Sequence, residues 1–273
     1  MTDPIRLLVH DPQTGDRNMA VDEALMRSAR EGRVTLRLYR WEPGCLSFGR
    51  NQTARGAYDP EGAAARGIDV VRRPTGGRAV YHHAELTYSV TAPSDTWGSL
   101  REAYCRINRA LAEGLRELGV PAACAGESAR RGRAPGPTAS ACFRNPLPGE
   151  VTVGGRKLIG SAQWRDGGAL LQHGSLLLRN EQAVTESLRT QRLVPAPGGE
   201  GGPGETAAES GAIALDELLA RPPSPEELVA ALAAGFEREF VRPVRPGALS
   251  PVVASLADEL SARYRDPEWT WRR

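Results

Sequence analysis

The chain has 273 residues, 40% hydrophobic and 25% charged, with a formal net charge of +2. That length holds one large domain or two modest ones with a substantial core, and the small charge argues for neither nucleic acid nor a membrane surface as partner. No run approaches the roughly 18 apolar residues of a spanning helix, and Met1–His10 lacks the charged start and apolar stretch of a secretory signal, so the expected setting is the cytoplasm.

In chain order, Asn18 is placed to cap a helix running to about Arg30, with Val21, Leu25 and Met26 on its buried side. Residues 34–41 alternate apolar and polar and read as a strand, as does the shorter 46–49. From Asp69 to Thr91 the pattern is strand, Gly-Gly turn, strand, turn, strand. An amphipathic helix follows over about 98–118, where Tyr104, Ile107, Leu111, Leu115 and Leu118 recur at helical spacing. Residues 122–140, rich in Gly, Ala, Arg and Pro, predict a mobile loop. Residues 151–164 predict a hairpin turning at Gly154-Gly155, and 169–178 another strand. The low-complexity stretch 195–211 predicts disorder or an exposed loop. Two helices close the chain near 224–240 and 250–264, with Pro225 suited to a first turn. The expected class is α+β, a mixed or antiparallel sheet flanked by helices. Residues 1–195 form the core, 196–211 a flexible Gly-rich loop, and 212–273 a helical part packed on the same domain.

Four cysteines, at 45, 105, 124 and 142, make no C-x-x-C pair and suit neither a zinc site nor a disulfide framework. Among 35 Lys plus Arg, Lys157 is the single lysine. Either some lysine had to remain in an arginine-rich composition, or position 157 needs a compact ammonium where a planar guanidinium does not serve. Cys142 stands 15 residues before it, at the end of the predicted mobile loop. A nearby ammonium lowers a thiol's pKa and populates the thiolate. Cys45 and Cys124 lack such a context, and Cys105 falls within the long helix, where packing is its expected role.

Three further groups of residues suggest a site. Arg72, Arg73, Thr75, Gly76 and Gly77 place donors beside paired glycines that let the backbone approach a ligand. His82 and His83 follow, and from the residues alone each reads first as a satisfied structural histidine and only second as a ligand-binding one. Gly160, Ser161 and Ala162 after Lys157 leave room for a ligand, or fit close sheet packing. His173 and Gly174 interrupt an apolar strand and read as pocket lining or a hydrogen-bonded structural group.

RRPTGGRAVYH at 72–82 with ELTYS at 85–89, GRKLIGSAQ at 155–163 and QHGSLLL at 172–178 together resemble the lipoate/biotin protein ligase superfamily. ACFRNP at 141–146 is similar to the cysteine block of its octanoyltransferase branch. The resemblance implies a biotin/lipoate ligase-like catalytic domain and transfer of octanoyl from acyl carrier protein to a lysine. The acceptors it implies are lipoyl-carrier proteins, such as glycine-cleavage H protein or the lipoyl domains of dehydrogenases. It further implies Cys142 as acyl-carrying nucleophile, Lys157 beside it, substrate contacts from Arg72, Arg73, Thr75, Gly76, Gly77, His82, Gly160, Ser161, Ala162, His173 and Gly174, and no metal or cofactor. An ATP-dependent lipoate–protein ligase, an amidotransferase between carriers and a non-catalytic binding module are the alternatives.

Overall fold

The computed structural model describes residues 3–126, 147–190 and 211–273. β1 (Ile5–Val9) leads into α1 (Gly15–Ala29), β2 (Thr35–Tyr39) and β3 (Cys45–Phe48). After α2 (Pro60–Ala65) come β4 (Asp69–Arg72), β5 (Val80–His82), the long β6 (Glu85–Pro93), α3 (Leu100–Glu117) and β7 (Ala123–Cys124). The next stretch holds β8 (Val151–Val153), β9 (Arg156–Lys157), β10 (Ile159–Asp166), β11 (Ala169–Leu177) and α4 (Ala183–Ser187). The last holds α5 (Leu215–Leu218), α6 (Pro225–Phe240), β12 (Val244–Pro246), α7 (Pro251–Arg265) and α8 (Pro267–Thr270).

The main sheet has six strands in the order β10-β11-β6-β2-β1-β12. β1 runs parallel to β2 and β12, while the β2–β6–β11–β10 half is antiparallel. Period-two alternation divides its side chains between two layers. Leu36, Leu38, Tyr88 and Val90 face α3 and α6, where they join the larger core. Tyr39 faces the other way, toward Met19 and Leu25 of α1 and the C-terminal helix α7. The mixed sheet flanked by helices is therefore the α+β arrangement expected.

Local chemistry accounts for the helices. Ser99 and Glu102 form a capping box at the start of α3, and Ser224 and Glu227 another at α6, whose first residue is Pro225. Where the two helices cross, Gly114 and Gly235 let the backbones touch. A Cβ on Gly235 would sit 2.2 Å from the Ala110 carbonyl oxygen, so no side chain fits there.

Two expectations need correction. α1 begins at Gly15, with Thr14 as its cap, so Asn18 is one turn inside. Its buried amide donates to the Gln13 and Arg40 carbonyls at 3.1 and 3.0 Å, a tertiary clamp that helix-start preferences do not foresee. Nor do β4 and β5 form a hairpin about Gly76-Gly77. β3 lies between them in a separate three-stranded sheet, parallel to β4 and antiparallel to β5, so residues 73–79 are a crossover. Gly154-Gly155 does turn a hairpin, but only between β8 and β9, after which β10 moves to the edge of the main sheet.

Candidate functional site

A pocket of about 350 Å³, counting its open mouth, lies between the antiparallel half of the main sheet and the three-stranded sheet. Of the residues singled out in the sequence, Arg73, His82, Gly160, Ser161, Ala162, His173 and Gly174 stand in its wall. Arg72, Thr75, Gly76, Gly77 and Lys157 do not line this pocket. Cys142 lies outside the described residues.

His173 is part of a buried relay. Its Nδ1 sits 3.0 Å from Asp22 Oδ2, and its Nε2 2.7 Å from Thr75 Oγ1. Since the carboxylate only accepts, the proton is on Nδ1, and the Thr75 hydroxyl donates to Nε2. Asp22 is completely enclosed and also accepts from Arg37 Nη1, Tyr39 Oη and Ser89 Oγ, each at 2.8 Å. Burial pushes the Asp22 carboxyl up, but Arg37, His173 and Ser89 together hold it below its ordinary value. Burial lowers the His173 imidazole against the pull of Asp22, which keeps the ring neutral.

His82 repeats the arrangement. Nδ1 lies 2.8 Å from Glu85 Oε1 and Nε2 2.6 Å from Ser47 Oγ. The Ser47 hydroxyl in turn accepts from Arg73 Nη1 at 2.5 Å. The other end of the Arg73 guanidinium donates to the Gly76 and Arg78 carbonyls at 3.2 and 2.8 Å, folding the glycine loop around it. Gly77 has φ 98°, in the region that favours glycine, and its carbonyl oxygen would lie 2.0 Å from a Cβ on Gly49. Gly49 and Gly77 thus permit the crossover to press on the end of β3. Gly174 is required by packing as well: a Cβ there would meet the Gly160 carbonyl oxygen at 2.3 Å.

Arg72 behaves differently from its neighbour. Successive residues of an extended chain point to opposite sides, and Arg72 points away from the pocket. It is fully buried, donating to the carbonyls of Thr270, Gly49 and Gln52 at 2.9, 2.7 and 2.8 Å. It fastens α8 to the small sheet. Burial and the nearby Arg272 and Arg273 lower its guanidinium to about 10. Its Nε and Nη1 are committed to backbone oxygens on the side of the small sheet away from the pocket, while Nη2 is buried without a hydrogen-bond partner among the described residues.

Lys157 lies on β9, three residues before the pocket-lining Gly160. Its Nζ donates to Glu150 Oε1 at 2.7 Å, and both side chains are buried, at 3% and 2% exposure. Glu150 Oε2 accepts from the Leu147 backbone N–H at 2.7 Å. One carboxylate thus joins the single lysine to a turn five residues past Cys142. Sequence reasoning missed Glu150, Asp22 and Glu85. Asp22 carried a readable signal, since it follows the polar Asn18 by one helical turn on the buried face of α1. Glu150 had none, because its charge is ordinary for a residue beside a glycine turn. Among the described residues no cluster of His, Cys, Asp and Glu is arranged to hold a metal ion.

Comparison with known proteins agrees with this architecture. Residues 14–237 match the family described as lipoyl protein ligase A/B catalytic domain. Octanoyltransferase LipM of Kyrpidia tusciae is 41% identical, with 94% of each chain covered. Octanoyltransferase LipM of Moorella thermoacetica is 39% identical over 97% of this chain and 96% of its own. Among solved structures, lipoate-protein ligase A bound with ATP has a TM-score of 0.78 at 24% identity, covering 98% of this chain and 99% of that one. A bi-partite lipoate protein ligase from Thermoplasma acidophilum has a TM-score of 0.75 at 24% identity, covering 98% and 96%. At that identity the structural likeness speaks to the fold, and the family match and full-length relatives establish membership. The chain belongs to the lipoyl protein ligase A/B catalytic-domain family.

Proposed function

We propose that this protein is an octanoyltransferase of lipoate biosynthesis, moving octanoyl from acyl carrier protein to the lysine of a lipoyl-carrier protein through a thioester on Cys142. The observation that carries the reading is the near full-length identity, 39–41%, to relatives named octanoyltransferase. Cys142 in ACFRNP and the single lysine at 157 supply the chemistry such a transfer needs.

In the first step the Cys142 thiolate attacks the thioester carbonyl of the donor, and the carrier's thiolate leaves. One thioester replaces another, so the step is nearly isoenergetic. In the second, the acceptor's lysine amine attacks the enzyme thioester, loses a proton, and expels the Cys142 thiolate, leaving an amide. Neither step consumes ATP. This is nucleophilic catalysis by an activated thiol. Lys157 contributes a compact positive charge that favours thiolate over thiol. The pocket between the two sheets receives the acyl chain, and Arg73, His82 and His173 fix the shape of its wall.

The reading is tested by incubating the protein with octanoyl-carrier and an unmodified acceptor domain, with and without ATP. Octanoylated acceptor should form at the same rate in both. Product that appears only with ATP and free octanoate or lipoate would replace this reading with that of a ligase.

A further inference from the structure

The carboxylate that holds Lys157 owes its place to strand pairing. Across the β8–β9 hairpin Thr152 pairs with Lys157, and directly paired side chains lie on one face of a sheet. Glu150 stands two residues before Thr152 and continues that strand's period, which makes it the diagonal neighbour of Lys157 on the same face, within reach of long side chains. The ammonium closes the gap, donating to Glu150 Oε1 at 2.7 Å with both groups out of solvent. Arg156 points the other way and is answered by Glu217 of α5 at 2.9 Å.

The turn that carries Glu150 is itself anchored from the α3 side of the main sheet. Gly149 adopts φ 88°, a region that favours glycine, and a Cβ there would meet Cys105 Sγ of α3 at 3.1 Å. Its carbonyl oxygen accepts from Asn108 Nδ2 at 2.8 Å. Asn108 is fully buried on α3, and its Oδ1 accepts from Gln172 Nε2 at 3.1 Å and from Ser161 Oγ at 3.2 Å. One amide therefore ties the turn to β10 and β11, the strands that bring Gly160 and His173 to the pocket. On the backbone, the Ala125 N–H donates to the Glu150 carbonyl at 2.8 Å, and the Gly149 N–H to the Ala125 carbonyl at 2.9 Å.

We propose that Glu150 is a positioning residue for the transfer, fixing the Lys157 ammonium relative to the pocket, and that Asn108 fixes Glu150 in turn. The inference rests on the reading that the Cys142 thiolate needs that ammonium. A lysine carries its charge on a flexible four-carbon stem, so an acceptor at a definite place is what confines it. A buried ammonium that loses its carboxylate sheds its proton or turns away, and in either case the charge leaves its place. Both residues act through Lys157.

The test reads the charge at the thiol rather than stability. The full chain is alkylated with iodoacetamide across a range of pH, and the peptide bearing Cys142 is followed by mass to give the midpoint of thiolate formation. Acylation by octanoyl-carrier is measured in single turnover on the same proteins. Wild type should titrate below the ordinary thiol value of about 8.5. Glu150→Gln should raise the midpoint by about one pH unit, the lower end of what one adjacent charge produces, and slow acylation about tenfold at neutral pH with the half-saturating donor concentration unchanged. Asn108→Ala should move both readings the same way by a smaller factor, and decides the question where Glu150→Gln fails to fold. In a Lys157→Met background Glu150→Gln should leave the midpoint where it is, since the group it positions is gone. A wild-type midpoint at the ordinary value, a midpoint that stays put or falls in the folded single variants, or the same shift with Lys157 absent overturns the positioning role alone. A wild type that takes no octanoyl group from the carrier overturns the transferase reading instead.

Discussion

The buried pair of Lys157 and Glu150 makes a strong energetic demand on the structure. Replacing Glu150 with Gln keeps the shape but removes the charge that faces the ammonium. At 2.7 Å the gross attraction is about 6 kcal/mol at an effective dielectric of about 20, and desolvation of both groups offsets much of it. The pair's net worth is therefore small, but the cost of breaking it from one side is not. With both side chains out of solvent, taking the carboxylate's charge from beside the ammonium should cost about 3–5 kcal/mol. The lower end applies to Gln, whose amide oxygen still accepts one hydrogen bond. Urea unfolding of Glu150→Gln should show a lower midpoint at unchanged m-value. Removing the partner as well, in Glu150→Gln with Lys157→Met, should recover about 2 kcal/mol relative to the sum of the single changes. Single changes that each cost less than about 1 kcal/mol and simply add would refute the buried ion pair.

Arg37→Met should be comparably severe, losing about 3–5 kcal/mol, because it leaves the fully buried Asp22 without its cation; thermal or urea unfolding checks it, and a loss below about 1 kcal/mol would contradict that role. Stability should fall as pH drops below the ordinary histidine value. His10 is lowered to about 4, first by burial and then by Arg37, whose Nε–H donates to its Nδ1 at 2.9 Å, and His173 is lowered too. Both folded-state values lie below the unfolded one, so the unfolded chain binds protons first. The stability present above pH 6.5 is lost toward about pH 4, at no more than ~1.4 kcal/mol per pH unit for each group. A pH titration of unfolding midpoints that stays flat over that window would be the contrary result. Lys157→Arg preserves charge but not a compact ammonium, so octanoyl transfer should lose most of its rate; wild-type turnover in that variant would remove the argument from lysine chemistry.

Much of this molecule was readable from residue pattern. The period of Ile107, Leu111 and Leu115 placed α3 and its buried face correctly, since all three enter the core. Local signals failed where tertiary partners decide. Asn18 looks like a cap but clamps two carbonyls, and Gly76-Gly77 looks like a hairpin turn although β3 lies between its flanking strands. For the site, adjacency in sequence misled in one respect. Arg72 and Arg73 read as a pair of ligand donors, yet an extended chain sends neighbours to opposite sides, leaving one in the pocket wall and one against α8. The carboxylates that orient His82, His173 and Lys157 come from distant or unremarkable positions. Only the folded chain brings Asp22 within reach of His173, 151 residues away.

The central claim, a covalent acyl-enzyme on Cys142, is tested most directly by trapping it. Wild type and Cys142→Ser are each mixed with octanoyl-carrier in the absence of acceptor and ATP, quenched in acid, and weighed intact. The account predicts a wild-type mass increased by one octanoyl group, released by hydroxylamine, and an unmodified Cys142→Ser protein that cannot supply the acceptor. An unmodified wild type, or a Cys142→Ser variant that transfers octanoyl at the wild-type rate, would contradict it.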